Sequence, residues 1–124
     1  MTGKTPLRVL VLEDEALVAM LIEDQLLDLG YEIVGPAANA AQAIALCENE
    51  RVDAAVLDIN LGGGQRSDSV AELLSKQEIP FVFVTGYGKV GVDERFKDAA
   101  VLQKPFTRDE LEAIMAQRLH ATRL

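Results

Sequence analysis

The chain has 124 residues, 49% of them apolar and 26% charged, with one cysteine and a formal net charge of −8. That length supports one domain with its own core and is too short for two. The acidic balance argues against a nucleic-acid partner, which needs clustered Lys and Arg. No apolar run approaches the roughly 20 residues of a membrane span, and Met1 to Pro6 lacks the apolar stretch of a signal peptide. The expectation is a single domain over residues 1–124 with no output domain, no membrane contact and a cytoplasmic location. Cys47 has no partner for an internal disulfide, which fits a reducing compartment.

In chain order, Val9 to Leu12 is a brief apolar run without polar alternation, as in a parallel strand buried on both faces, and it stops at Glu13-Asp14. Ala16 to Leu29 has helical periodicity and meets Gly30, a helix-stop residue. Ile33-Val34 is a weak strand signal that fits an edge strand ending at Gly35-Pro36. Asn39 can cap a second helix, with Gln42 placed to complete a capping box and Ala40, Ala43, Ile44 and Cys47 on one face; Cys47 reads as a small core residue. Ala54 to Leu57 runs into Asp58, and a third helix opened by Ser67, Asp68 or Ser69 carries Val70, Leu73 and Leu74. Phe81 to Val84 runs into Thr85. Gly86, Gly88 and Gly91 interrupt the next stretch, where only Asp93 to Ala100 has the length for a short helix, so that segment is expected to be short, mobile or both. Val101-Leu102 is followed, after Gln103, by Lys104-Pro105. The last helix opens on a Thr107/Glu110 capping box and carries Leu111, Ile114, Met115 and Leu119 on one stripe.

This alternation implies an α/β fold: a parallel sheet with helices on both faces and right-handed crossovers. The carboxyl ends of such strands line one crevice, so Glu13, Asp14, Asp58, Thr85 and Lys104 should converge there. Crowded carboxylates raise one another's pKa and need an offsetting positive charge. Lys104 supplies part of it, and Mg²⁺, which accepts a few carboxylate or carbonyl oxygens plus waters, would supply the rest. Asp58 then becomes a plausible nucleophile toward phosphorus, with Mg²⁺, Lys104 and Thr85 sharing the equatorial oxygens. Gly86 would let the backbone approach the phosphoryl group, and Pro105 would help aim the lysine. Acids, threonines and lysines end many strands simply because strand ends are solvated; the joint placement is what carries weight.

That combination resembles the receiver domain of two-component response regulators over nearly the whole chain. The resemblance implies a doubly wound five-stranded flavodoxin-like sheet of order 2-1-3-4-5 with five helices. It implies that Asp58 accepts phosphate from the phosphohistidine of a sensor histidine kinase. Asp14, Asp58 and the Asn60 backbone carbonyl would bind Mg²⁺, Glu13 would help through water, and Thr85 and Lys104 would contact the phosphoryl group. Three departures stand out. The aromatic switch usually found three residues before the lysine is Val101, and the common Met-Pro is Leu61-Gly62, within Leu61-Gly62-Gly63-Gly64, which should loosen the loop beside the site. Phe83-Val84-Thr85-Gly86-Tyr87-Gly88 is similar to the "FAT GUY" signature of an atypical receiver subfamily, with Val84 where the signature has Ala. That subfamily also lacks the aromatic switch, is associated with HWE and HisKA2 kinases, and has a poorly ordered fourth helix. Tyr87 either takes over part of the switch or is an ordinary loop residue, and Asn60 and Tyr87 flank the path of an attacking water.

The implied function is a single-domain regulator that signals to a downstream protein by contact, relays phosphate, or drains it from a kinase, catalysing only its own phosphorylation and dephosphorylation. A phosphohydrolase with an aspartyl nucleophile would need a second acid two residues on, where this chain has Asn60. A phosphorylation-independent interaction module would be marked by a missing site residue, and none is missing. His120 sits near the end of the final helix, where a lone histidine reads as surface.

Overall fold

The computed structural model describes residues 6–61, 65–86, 92–96 and 98–123, with side chains as far as residue 119. Gly62, Gly63, Gly64, Tyr87, Gly88, Gly91 and the His120 side chain lie outside what is described. Five parallel strands form the sheet: β1 (Arg8–Leu12), β2 (Glu32–Ala37), β3 (Ala54–Asp58), β6 (Phe81–Thr85) and β7 (Ala100–Gln103), in spatial order β2-β1-β3-β6-β7. Without the short hairpin β4 (Asn60–Leu61) and β5 (Gln65–Arg66), this is the expected flavodoxin-like 2-1-3-4-5. Every residue of β3 and of β6 is buried, which explains their unbroken apolar sequences.

Alternate side chains leave opposite faces of a strand, so each strand feeds two cores. Val9, Val11, Val56, Val82 and Val84 face α1 (Ala16–Asp28) and α4 (Arg108–Arg123), meeting Ile22, Leu26, Leu111 and Met115. Leu10, Leu12, Ala55, Leu57 and Phe83 face α2 (Ala40–Asn49) and α3 (Asp68–Lys76), meeting Ala43, Val70, Ala71 and Leu74. Cys47 packs against this second core, as the sequence implies.

The helix ends follow the capping logic closely. Asn39 accepts the Gln42 N–H at 2.9 Å, while the Gln42 side chain accepts from Ala38 N–H at 2.8 Å, one residue earlier than in a strict capping box. Thr107 and Glu110 exchange both bonds, at 3.1 and 2.8 Å. Ser67 precedes α3 but makes no side-chain cap.

Two expectations are corrected. β2 does not stop at Gly35-Pro36 but continues to Ala37, with a register shift against β1 between Leu10 and Leu12. The proline is tolerated because β2 is an edge strand and its missing N–H faces no ladder partner. After Asp58 a small antiparallel pair forms between β4 (Asn60–Leu61) and β5 (Gln65–Arg66), with Leu61 buried; the Gly62-Gly63-Gly64 stretch expected to loosen this loop lies outside the described residues. Within Asp93 to Ala100, the one stretch with the length for a short helix, the described residues make only a 3-10 turn, Glu94–Phe96, closed by Phe96 N–H to Asp93 O at 2.8 Å and by the Asp93 carboxylate accepting from Arg95 N–H. The described chain therefore has four α-helices rather than five.

Gly35 shows why the β2 extension depends on sequence. Its φ is +101°, and a Cβ there would lie 2.8 Å from Ala37 N and 3.2 Å from Val11 O, both backbone atoms that cannot swing aside. Gly35→Ala should therefore cost about 1–3 kcal/mol in urea unfolding; a change within about 0.5 kcal/mol would mean that this bend is not held as described.

Candidate functional site

Glu13 and Asp14 follow β1, Asp58 ends β3, Thr85 ends β6, and Lys104 follows β7. All five stand at the carboxyl edge of the parallel sheet. The chain leaves β1 toward β2 and returns on the other side as β3, so Glu13, Asp14 and Asp58 flank the topological switch point where α/β sheets open a crevice. One oxygen each from Glu13, Asp14 and Asp58 can lie within 4.8 Å of the others. Glu13, Asp58 and Thr85 are buried, and Asp14 is exposed.

Lys104 closes this group electrostatically. Its Nζ donates to Glu13 Oε1 at 3.0 Å and lies 3.6 Å from Asp58 Oδ2. Two backbone bonds hold the edge in register: Lys104 N–H to Thr85 O at 2.8 Å and Ile59 N–H to Val84 O at 3.1 Å. The Lys104-Pro105 peptide is cis. A cavity of about 270 Å³ opens above Asp58 and is lined by Glu15, Asp58, Asn60, Thr85, Gly86 and Lys104. With a water occupying about 30 Å³ of liquid, that space takes a phosphoryl group and several waters.

Burial and the neighbouring Glu13 carboxylate, opposed only in part by Lys104, push the Asp58 pKa from 3.8 up to about 7. Burial also opposes charge on Lys104, but its hydrogen bond to Glu13 and the Asp58 carboxylate outweigh this and raise its pKa. Three acids around one ammonium are short of positive charge. The donors are all hard oxygens, two of them on buried carboxylates, and such a set fits a hard divalent cation of the Mg²⁺ type.

The site thus gathers the residues that the strand ends pointed to, with differences of detail. Lys104 bonds directly to Glu13, an acid 91 positions away. Gly86 lines the cavity, but a Cβ built on it meets nothing within 4 Å, so only an occupant of the cavity would be crowded by a side chain there. Glu15, which no strand-end or motif pattern singles out, also lines the cavity. Its only signal is its place directly after the acidic pair that follows β1.

With this geometry in view, the match to known proteins is direct. The family model described as the response regulator receiver domain matches residues 9–116. The chain belongs to this family of two-component receiver domains. It is 36% identical over 121 residues to the transcriptional regulatory protein PdtaR of Mycobacterium tuberculosis, covering 90% of this chain and 59% of that protein. It is 32% identical over 114 residues to the phyllosphere-induced regulator PhyR of Methylorubrum extorquens, covering 90% of this chain and 43% of PhyR. The chain thus spans about half the length of these curated relatives. Among solved structures, SdrG from Sphingomonas melonis Fr1 is 45% identical with a TM-score of 0.79, covering 96% of this chain and 98% of SdrG. PhyR from Brucella abortus is 32% identical with a TM-score of 0.84, covering 96% of this chain and 50% of that one.

The raised Asp58 pKa has a consequence for stability. Between about pH 4 and pH 7 the folded protein holds a proton on Asp58 that the unfolded chain has released, so this group's contribution to stability falls as pH rises through that window. Without divalent metal, Asp58→Asn should stabilise the protein at pH 8 by roughly 1–3 kcal/mol in urea unfolding, and the gain should shrink toward zero near pH 4. An equal gain at both pH values, or a loss at pH 8, would contradict this account of the buried acid.

Proposed function

We propose that this receiver domain accepts a phosphoryl group on Asp58 from the phosphohistidine of a sensor histidine kinase, in a Mg²⁺-dependent reaction. The observation that carries the reading is Asp58 itself: a buried carboxylate 3.6 Å from the Lys104 ammonium, beside two further acids, at the floor of a cavity lined by Thr85. Its ionised oxygen would attack phosphorus in line as the phosphorus–nitrogen bond to imidazole breaks, leaving an acyl phosphate and free histidine. Lys104 and Thr85 would hold the equatorial oxygens as charge develops on them. Asp14, Asp58 and the Asn60 carbonyl would hold the cation, with Glu13 acting through water. Bound there, Mg²⁺ would neutralise the phosphoryl oxygens and let a carboxylate approach them.

Several features support the finer reading. The run from Phe83 through Gly86 and the absence of an aromatic at Val101 agree with the FAT GUY subfamily and hence with an HWE or HisKA2 kinase. SdrG, 46% identical in its BeF₃-activated conformation, is a relative that answers a phosphate mimic with an activated state. No helix among the described residues is long and apolar enough to cross a membrane, which suits a cytoplasmic regulator. The output would be contact with a downstream protein or the draining of phosphate from the kinase.

The outer face of α1 suits the kinase. Leu17, Met20 and Leu21 are exposed there, Leu17 to 80%. Leu21 joins Val18, Pro105 and Phe106 around an apolar cavity of about 310 Å³ whose wall includes Lys104, so the surface borders the reaction site. A donor helix lying on α1 would bring its phosphohistidine to Asp58.

Acetyl phosphate with Mg²⁺ should add one phosphoryl group in the intact mass of the wild type and none to Asp58→Asn. Leu21→Glu, on an exposed position, should keep that labelling within about twofold while slowing transfer from a phosphorylated kinase by about tenfold or more. Unchanged labelling of Asp58→Asn would move the acceptor elsewhere, and equal slowing with both donors would remove α1 from kinase recognition.

A further inference from the structure

The cavity above Asp58 contains one acid that the proposed chemistry does not use. Glu15 lines it together with Asp58, Thr85 and Lys104, yet its carboxylate is not part of the Glu13, Asp14 and Asp58 cluster. Its backbone N–H donates to Glu13 Oε2 at 3.2 Å, which fixes the residue at the rim. Glu15 stands at the N-cap of α1 but makes no side-chain cap, and its charge reaches the cavity as one of the fields that raise the Lys104 pKa. It is exposed. The charges explain why it matters. Three clustered acids would be matched by Lys104 and one divalent cation, which would leave the Glu15 charge in excess at the rim of the cavity.

We propose that Glu15 is a specificity-determining residue of the phosphotransfer reaction: an anionic rim that slows small, freely diffusing phosphodonors in proportion to their negative charge. This rests on the reading of Asp58 as acceptor. A small acyl phosphate is a dianion with few contacts to offset repulsion at the rim. A phosphohistidine delivered by a docked protein meets the same carboxylate, but the binding energy of a large interface outweighs it. Glu15 therefore biases the domain toward a protein donor over metabolic acyl phosphates. A single charge several ångströms away, in a solvated opening, changes the encounter by a modest factor that salt screens.

The test compares two donors of different charge at neutral pH and saturating Mg²⁺, following adduct formation by intact mass: acetyl phosphate, a dianion, and phosphoramidate, a monoanion. Glu15→Gln should speed labelling by acetyl phosphate about three- to tenfold at low salt. The gain with phosphoramidate should be about the square root of that. Both gains should fall toward one in about 1 M salt, where the screening length is roughly 3 Å. Glu15→Asp, which keeps the charge, should stay near the wild-type rates. Equal gains for both donors, gains that persist in high salt, or no gain would overturn the charge role of Glu15 while leaving Asp58 as acceptor. Failure of the wild type to label with either donor would overturn the Asp58 reading and, with it, this inference.

Discussion

The contact on which the site depends is the one between Lys104 and Glu13. A carboxylate buried as Glu13 is costs several kcal/mol unless it is paired, and the lysine that pairs with it comes from the far end of the chain. That bond ties the edge of β1 to the loop after β7, across β3 and β6. It leaves the same ammonium 3.6 Å from Asp58, close enough to favour a charged carboxylate yet insufficient to cancel both burial and the charge of Glu13. The protein therefore holds on Asp58 a carboxylate whose charge is only marginally tolerated. A divalent cation would relieve that tension, and so would conversion of the carboxylate to an acyl phosphate whose charge sits further out. The strain and the proposed reactivity have one origin.

The fold was legible where burial is simple. Strands covered on both faces need no polar alternation, so β1, β3 and β6 announce themselves as apolar runs, and the residues that end them could be ordered along one edge before any coordinates. The capping residues Asn39 and Thr107 were equally readable, because capping is local chemistry. What escaped was non-local or concealed by an exception. β2 runs through Gly35-Pro36 because an edge strand needs no outward N–H, a fact that the sequence of β2 alone does not contain. The hairpin around residues 60–66 depends on Leu61 dropping into the core, and the turn at Glu94–Phe96 depends on Phe96 packing edge-on against Phe81 and Phe83, with ring centroids 6.0 and 5.8 Å apart.

The site shows the same division. Which residues would meet was readable from strand ends, but how they pair was not. Lys104 looked like a ligand for phosphate and is, in this state, the partner of Glu13. Glu15 looked like an ordinary acid at a helix start and lines the cavity above Asp58. Around Val101 the usual aromatic is missing, but the sheet face it shares with Phe83 is not bare: Phe96 covers the same core from the following segment, and Arg95 pins that turn to Glu72 of α3 at 2.6 Å. The turn at Glu94–Phe96 thus has its own attachment to the sheet, through residues that lie outside the usual relay.

The central claim is that one side-chain oxygen, on Asp58, forms the acyl phosphate. Borohydride reduction of the phosphorylated protein, followed by peptide mass spectrometry, tests it at the level of the residue, because an aspartyl phosphate is reduced to homoserine where it stands. The account predicts homoserine at position 58, and only after treatment with phosphodonor and Mg²⁺. Homoserine at another aspartate, or reduction nowhere in a protein that carries the phosphoryl mass, would contradict it.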